Sequence, residues 1–264
     1  MGWDSVFTGC GAAVEAIVIL LLLRMRLFRA FPAFLTWVCW SFLIDTYYFV
    51  AVGYLKYSPP LNLYEIQIGI DLVLMFAVLV ELAWNVLRPI RTSLPKYSWL
   101  AIVVLILVAG VVVWFIAGLA VPAGATAEGK VFFRLQQTGA ILRVVLFLVL
   151  AGFSQLLAIG WRNRELQIAT GFGFYSIVSL AVTVLHTHPV SGSYAEYHRL
   201  DEVAGASYLL ALCYWSFSFA TKEAERKEFT PQMQSFLLAA AGSARAARIG
   251  IASSSTLNSR KNDD

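Results

Sequence analysis

The sequence predicts an all-α polytopic membrane protein, a bundle of seven transmembrane helices with the N-terminus outside and the C-terminus in the cytoplasm. Three observations carry that expectation. Hydrophobic residues make up 59% of the chain and charged residues 14%, whereas a soluble domain is about 45–50% apolar and about 25% charged. Seven stretches, approximately 4 to 23, 31 to 54, 63 to 87, 98 to 118, 132 to 159, 166 to 186 and 203 to 221, match the ~20 apolar residues that a helix needs to cross hydrocarbon. The basic residues between them alternate from side to side. Arg24, Arg26 and Arg29 follow the first stretch, Arg88, Arg91 and Lys96 the third, and Arg162 and Arg164 the fifth. Lys222, Arg226, Lys227, Arg245, Arg248, Arg260 and Lys261 follow the seventh, against only Lys56, Lys130 and Arg199 on the opposite side. An excess of Lys and Arg marks the cytoplasmic loops. The net charge of +4 and the isoelectric point near 9.0 thus express membrane asymmetry, with no nucleic-acid partner implied.

The first stretch could pass for a signal peptide, but it has no basic leader and carries Asp4 and Glu15, so it is read as a retained span. The second, containing WSFLID, sets Ser41 and Asp45 four residues apart on one face. The third has the clearest pattern: Gln67, Asp71, Leu74, Val78, Glu81 and Asn85 recur at alternating spacings of four and three, a stripe along one helix face that should meet protein or water. The fourth, AIVVLILVAGVVVWFIAGL, shows none of the polar alternation of a membrane β-strand. The fifth aligns Gln136 with Arg143 two turns apart, and the sixth carries Gly171 and Gly173 in GFGFYS. These glycines, with Gly69, Gly139 and Gly205, are candidates for close helix approach. All eight prolines fall in connections, in the tail or in a first turn, so sharp proline kinks are not expected. Cys10, Cys39 and Cys213 lie within spans and suggest no disulfide framework.

Residues 1–221 form the transmembrane domain on this reading, and residues 222–264 a cytoplasmic tail, partly helical and then disordered. In KEAERKE, Glu223 and Lys227 form an i,i+4 pair that would extend the last span, and the segment beyond Pro231 is weakly amphipathic. The tail is the expected docking point for a cytoplasmic protein partner.

Charge inside hydrocarbon costs at least ~2.5–3.5 kcal/mol per group, so Glu15, Asp45, Asp71, Glu81 and Arg143 should face the bundle interior and one another. At ~1.5 Å rise per residue, Glu15, Asp45, Asp71 and Arg143 fall within roughly 10 Å in depth. Arg143 is the natural counter-ion for Asp45 or Asp71, because guanidinium binds carboxylate through two parallel hydrogen bonds. Three acids against one base leave a carboxyl available for a proton. With Gln67, these residues are the candidate ligand or proton site.

LHTHPVSGSYAEYHRLDE gathers all three histidines, and His186, His188, His198, Asp201 and Glu202 are the candidate zinc ligands. Its position in the sixth, external connection suits a gate, an acid sensor or ordinary loop chemistry better than a catalyst. Tyr194, Tyr197, Trp3, Tyr57, Tyr64 and Trp99 sit where aromatic belts form.

Several seven-span families can be set against these residues. Retinal proteins hold their chromophore on a lysine in the last span, whereas Lys56, Lys96, Lys130, Lys222, Lys227 and Lys261 are all assigned to loops or the tail, which argues against retinal. Animal-type receptors are similar in topology alone: WNVLRP stands where they carry an acidic-arginine-aromatic signature, and CYWSFSF lacks their Asn-Pro-x-x-Tyr. Membrane hydrolases of the ceramidase and adiponectin-receptor type are faintly similar through WSFLID and the histidines, but no HxxxH occurs in the seventh span. FAVLVELAWNVLRP and WRNRELQIATGFGFYS resemble segments of bacterial seven-span integral membrane proteins, which suggests a bacterial inner membrane and implies no activity. The expected function is a small membrane sensor or signal relay that binds a ligand or protons in the outer half of the bundle. An ion- or proton-coupled transporter using Asp45, Asp71 and Glu81 is the alternative, and a metal-dependent hydrolase the third.

Overall fold

The computed structural model describes residues 3–54, 61–87, 97–117, 127–152, 163–187 and 194–221. Within these ranges the side chains at 3–8, 52–54, 61–62, 64–65, 127–129, 132, 186–187, 194–198 and 201 are not described. The described residues form seven long helices and no strand: α1 Trp3–Arg24, α2 Pro32–Tyr48, α3 Leu61–Val86, α4 Ser98–Ala117, α5 Ala127–Gly152, α6 Arg164–Thr187 and α7 Tyr194–Ala220. Six segments, Pro32–Ala51, Ile66–Val86, Ser98–Ala117, Phe133–Gly152, Arg164–Leu185 and Glu202–Ala220, are long and apolar enough to cross a bilayer. The chain is accordingly an integral membrane protein.

Helices α5 and α7 begin several residues before the apolar stretches that mark them in the sequence. Hydropathy registers where lipid contact starts, whereas a helix continues through a polar turn whose backbone bonds are satisfied internally. Lys130 therefore lies in the first turns of α5 and not in a loop, although still outside the apolar segment Phe133–Gly152. Proline spacing gave no sign of a second irregularity, a π-helical turn over Phe49–Tyr54 that extends α2. The Phe49 ring there lies against Gly9 of α1, where a Cβ would meet it at 3.0 Å.

Helices α1, α2, α3, α5, α6 and α7 close a ring through neighbour contacts, and α3 also touches α6 across it. Among the described residues helix α4 packs mainly on α3 and α5, and it turns Leu105, Val111 and Phe115 outwards, 58–72% exposed. Lipid is as apolar as these side chains, so burying them gains little, and helix association rests on close packing and interhelical hydrogen bonds. Both are visible. A Cβ on Gly171 would overlap the Trp215 indole, one on Gly173 would lie 2.5 Å from Phe147, and one on Gly139 3.0 Å from Met75. Among the described residues Gly69 and Gly205 have nothing within 4 Å, and no close approach is seen at those two.

The main core lies at the end of the bundle that holds the α1–α2 connection. Phe34 and Trp37 of α2, Phe172 of α6, and Trp215 and Phe219 of α7 meet there with centroids 4.8–6.1 Å apart, mostly edge to face. All five are at most 3% exposed. The connection itself turns at Arg26, whose φ of 54° is left-handed and costs a non-glycine residue about 1–2 kcal/mol.

Candidate functional site

The polar stripe of α3 is built against α2. Tyr48 donates its hydroxyl to Gln67 Oε1 at 2.9 Å, and the Trp37 indole N–H donates to Asp71 Oδ1 at 2.7 Å. Farther along, Val78 enters the core, Glu81 accepts the backbone N–H groups of Ala33 (2.8 Å) and Phe34 (3.0 Å), and Asn85 donates to the Ala30 carbonyl at 2.6 Å. The spacing of four and three keeps every one of these groups on a single helix face, as the sequence leads one to expect.

Glu81 has a structural task that its sequence context did not reveal. The first amides of a helix lack intrahelical acceptors, and Phe31, at the N-cap of α2, offers no side-chain cap. Pro32 occupies the first turn, where its missing N–H costs nothing, and the next two amides are taken by the Glu81 carboxylate from α3. A carboxylate there also suits the positive end of the α2 dipole. Glu81 therefore stands apart from the Asp45, Asp71 and Arg143 group, with Met75, Val78 and Leu79 buried between along α3.

That group lines one cavity of about 270 Å³. Helix α2 contributes Trp37, Trp40, Ser41 and Asp45; α3 contributes Gln67 and Asp71; α5 contributes Gln136 and Arg143; α6 and α7 add Tyr175, Ser179 and Tyr208. Trp37 is at once its wall and the first ring of the aromatic core, so the cavity stops where the packed layer begins. Glu15 is fully buried beside it on α1, and the Tyr208 hydroxyl donates to its Oε1 at 2.5 Å.

The ion pair expected between Arg143 and an aspartate is not formed among the described residues. Asp71 instead takes the Trp37 indole, and the Arg143 guanidinium carbon sits 5.4 Å from the Tyr175 ring centroid and 6.0 Å from that of Phe172. Guanidinium is weakly hydrated and stacks readily on aromatic faces, which makes this a satisfactory resting place for it. Arg143 is 7% exposed, and its Nε has no hydrogen-bond partner. The Trp40 indole N–H is also buried without an acceptor.

Arg164 is equally buried, at 2% exposed, but both of its terminal nitrogens are engaged. From the first residue of α6 it donates to Gln167 Oε1 at 2.9 Å and to the Ser218 and Thr221 carbonyls at 2.6 Å each, while lying over the Phe219 ring. It thereby caps α7, whose last carbonyls have no intrahelical donors. The sequence marked it only as a topology signal.

Trp37, Trp40, Ile44, Tyr175, Ser179 and Tyr208 are the wall residues that sequence reasoning missed. They lie on apolar-looking spans where an aromatic ring gives no periodic signal, and only Ser179 is a small polar residue. The histidine stretch lies largely outside the described residues: His188 is not described, nor are the side chains of His186, His198 and Asp201. Glu202, near the start of α7, is described and half-buried. Among the described residues no three His, Cys, Asp or Glu side chains are arranged to hold a metal, and the three cysteines are free. No protein-family model, curated protein or solved structure matches this chain.

Proposed function

We propose that the chain is a small receptor-like sensor or signal-relay protein of a bacterial inner membrane. In this reading α1 is a seventh span, the N-terminus is outside, and residues 222–264 meet a cytoplasmic partner. The ligand or proton site is the cavity bounded by Asp45, Asp71 and Arg143, in the outer half of the bundle. One observation carries the reading: the polar cavity ends on Trp37, beyond which Phe34, Phe172, Trp215 and Phe219 are packed solid. A carrier using Asp71 and Glu81 as relay positions needs a polar path between them. Buried Met75, Val78 and Leu79 occupy that length of α3, and the Glu81 carboxylate is held by α2 amides.

The relay would run along α6 and α7. Both helices supply walls of the cavity, through Tyr175, Ser179 and Tyr208, and both meet again at the other end where Arg164 clasps the last turn of α7. Coupling of that kind is an energetic quantity and has to be measured. Hydrogen exchange on the full chain in nanodiscs, comparing wild type with Asp71→Asn and Arg143→Gln, is the test. Altered protection of the segment Ser218 to Thr221, in variants that keep wild-type helicity, is the expected result. Unchanged protection there in both folded variants overturns the relay.

A further inference from the structure

We propose that the cavity binds a small zwitterion, an amine and a carboxylate joined in a molecule of amino-acid size. This inference rests on the ligand-binding form of the reading above and names the ligand's class. Three observations carry it. First, Arg143 brings a permanent cation to the wall while 93% buried, and its guanidinium makes no hydrogen bond or ion pair among the described residues. Second, the Asp45 carboxylate, across the bundle on α2 and beside Gly11, has no donor among the described residues. Third, the Trp40 indole N–H, on the same wall, is a buried donor without an acceptor among the described residues.

Buried polar groups without partners each cost about 1–3 kcal/mol, and charged ones more, so such a set marks a place built for something polar. The cation on α5 and the carboxylate on α2 line the same cavity, yet among the described residues they do not pair with each other. A molecule that reaches both must therefore carry an anion at one end and a cation at the other. An amine alone would answer Asp45 and leave guanidinium unpaired. An anion alone would answer Arg143 while facing two aspartates, and a neutral solute would neutralise neither. Tyr208, whose ring centroid is 5.3 Å from that of Tyr175, adds a π face suited to an ammonium group, while Tyr175 carries the Arg143 guanidinium. The volume of about 270 Å³ equals about nine waters of the bulk liquid, room enough for a small amino acid.

Isothermal titration of the full chain in nanodiscs separates the classes. The probes are glycine, alanine, serine and threonine as small zwitterions, ethylamine as cation and propionate as anion. At least one small zwitterion is expected to bind saturably, at least tenfold tighter than ethylamine and propionate. Asp45→Asn and Arg143→Lys should each weaken that binding by about tenfold to a hundredfold, the loss of one charge-assisted hydrogen bond or its geometry. Trp40→Phe, which keeps the ring and removes the N–H, guards against misfolding of the charge variants and should weaken binding about tenfold. Ethylamine or propionate binding as tightly as the best zwitterion overturns the proposal and leaves a ligand-binding sensor standing. Failure of all four small zwitterions also overturns it, while the exchange experiment on Asp71→Asn and Arg143→Gln, which needs no ligand, decides the relay separately.

Discussion

Replacing Glu81 should loosen the start of α2, and the size of the effect follows from two hydrogen bonds. The carboxylate holds the Ala33 and Phe34 amides at 2.8 and 3.0 Å. Loss of a capping acceptor costs about 0.5–2 kcal/mol, and a hydrogen bond to a charged group is worth about 1.5–3 kcal/mol. The site borders an open groove of about 640 Å³ lined by Arg29, Trp84 and Trp99, from which water can reach the freed amides. Values near the lower ends therefore apply, and Glu81→Ala should cost about 2–3 kcal/mol in all. Glu81→Gln keeps one acceptor oxygen and loses the charge, so about 1–2 kcal/mol is expected. Reversible unfolding of detergent-solubilised protein, followed by circular dichroism, measures both, and amide exchange at Ala33 and Phe34 localises the change. A cost for Glu81→Ala below about 0.5 kcal/mol, the level of an unremarkable surface substitution, would refute the capping role. So would equal costs for the two variants.

Three further outcomes follow from the packing. Gly171→Ala places a methyl within the Trp215 indole and should destabilise by about 1–3 kcal/mol, with a shift in tryptophan emission as the ring is displaced. Trp37→Phe keeps most of the aromatic packing but deprives Asp71 of its donor, for a loss of about 1.5–3 kcal/mol in the same unfolding measurement. Arg164→Met removes three hydrogen bonds to Gln167, Ser218 and Thr221, and should speed exchange of the Thr221 amide by about tenfold or more.

The α3 stripe shows how far sequence reasoning reached. Gln67, Asp71, Glu81 and Asn85 could be placed on one face from their spacing alone, because a 3.6-residue period fixes direction. What each would touch was not legible, since α2 carries its acceptors and donors on Trp37, Tyr48 and bare backbone, groups that give no signal of their own. Arg143 illustrates the opposite error. A lone base among acids invites an ion pair, but in the structure Asp71 is taken by the Trp37 indole and Arg143 lies on Tyr175 and Phe172. The glycines divide by the same logic. Gly171 and Gly173 meet bulky rings of neighbouring helices and Gly69 meets nothing, and no residue type in the sequence distinguishes them.

The central claim is a polar cavity that opens to one side of the membrane and is sealed from the other by packed rings. Cysteine accessibility addresses it directly. In a chain whose Cys10, Cys39 and Cys213 are replaced by alanine, Ser179→Cys reports on the cavity and Val78→Cys on the packed layer. A membrane-impermeant maleimide is then applied from each side of reconstituted vesicles. Ser179→Cys should react from the outer side only, and Val78→Cys from neither. Labelling of Ser179→Cys from both sides would mean a path through the aromatic layer, and would contradict a sealed sensor in favour of a carrier.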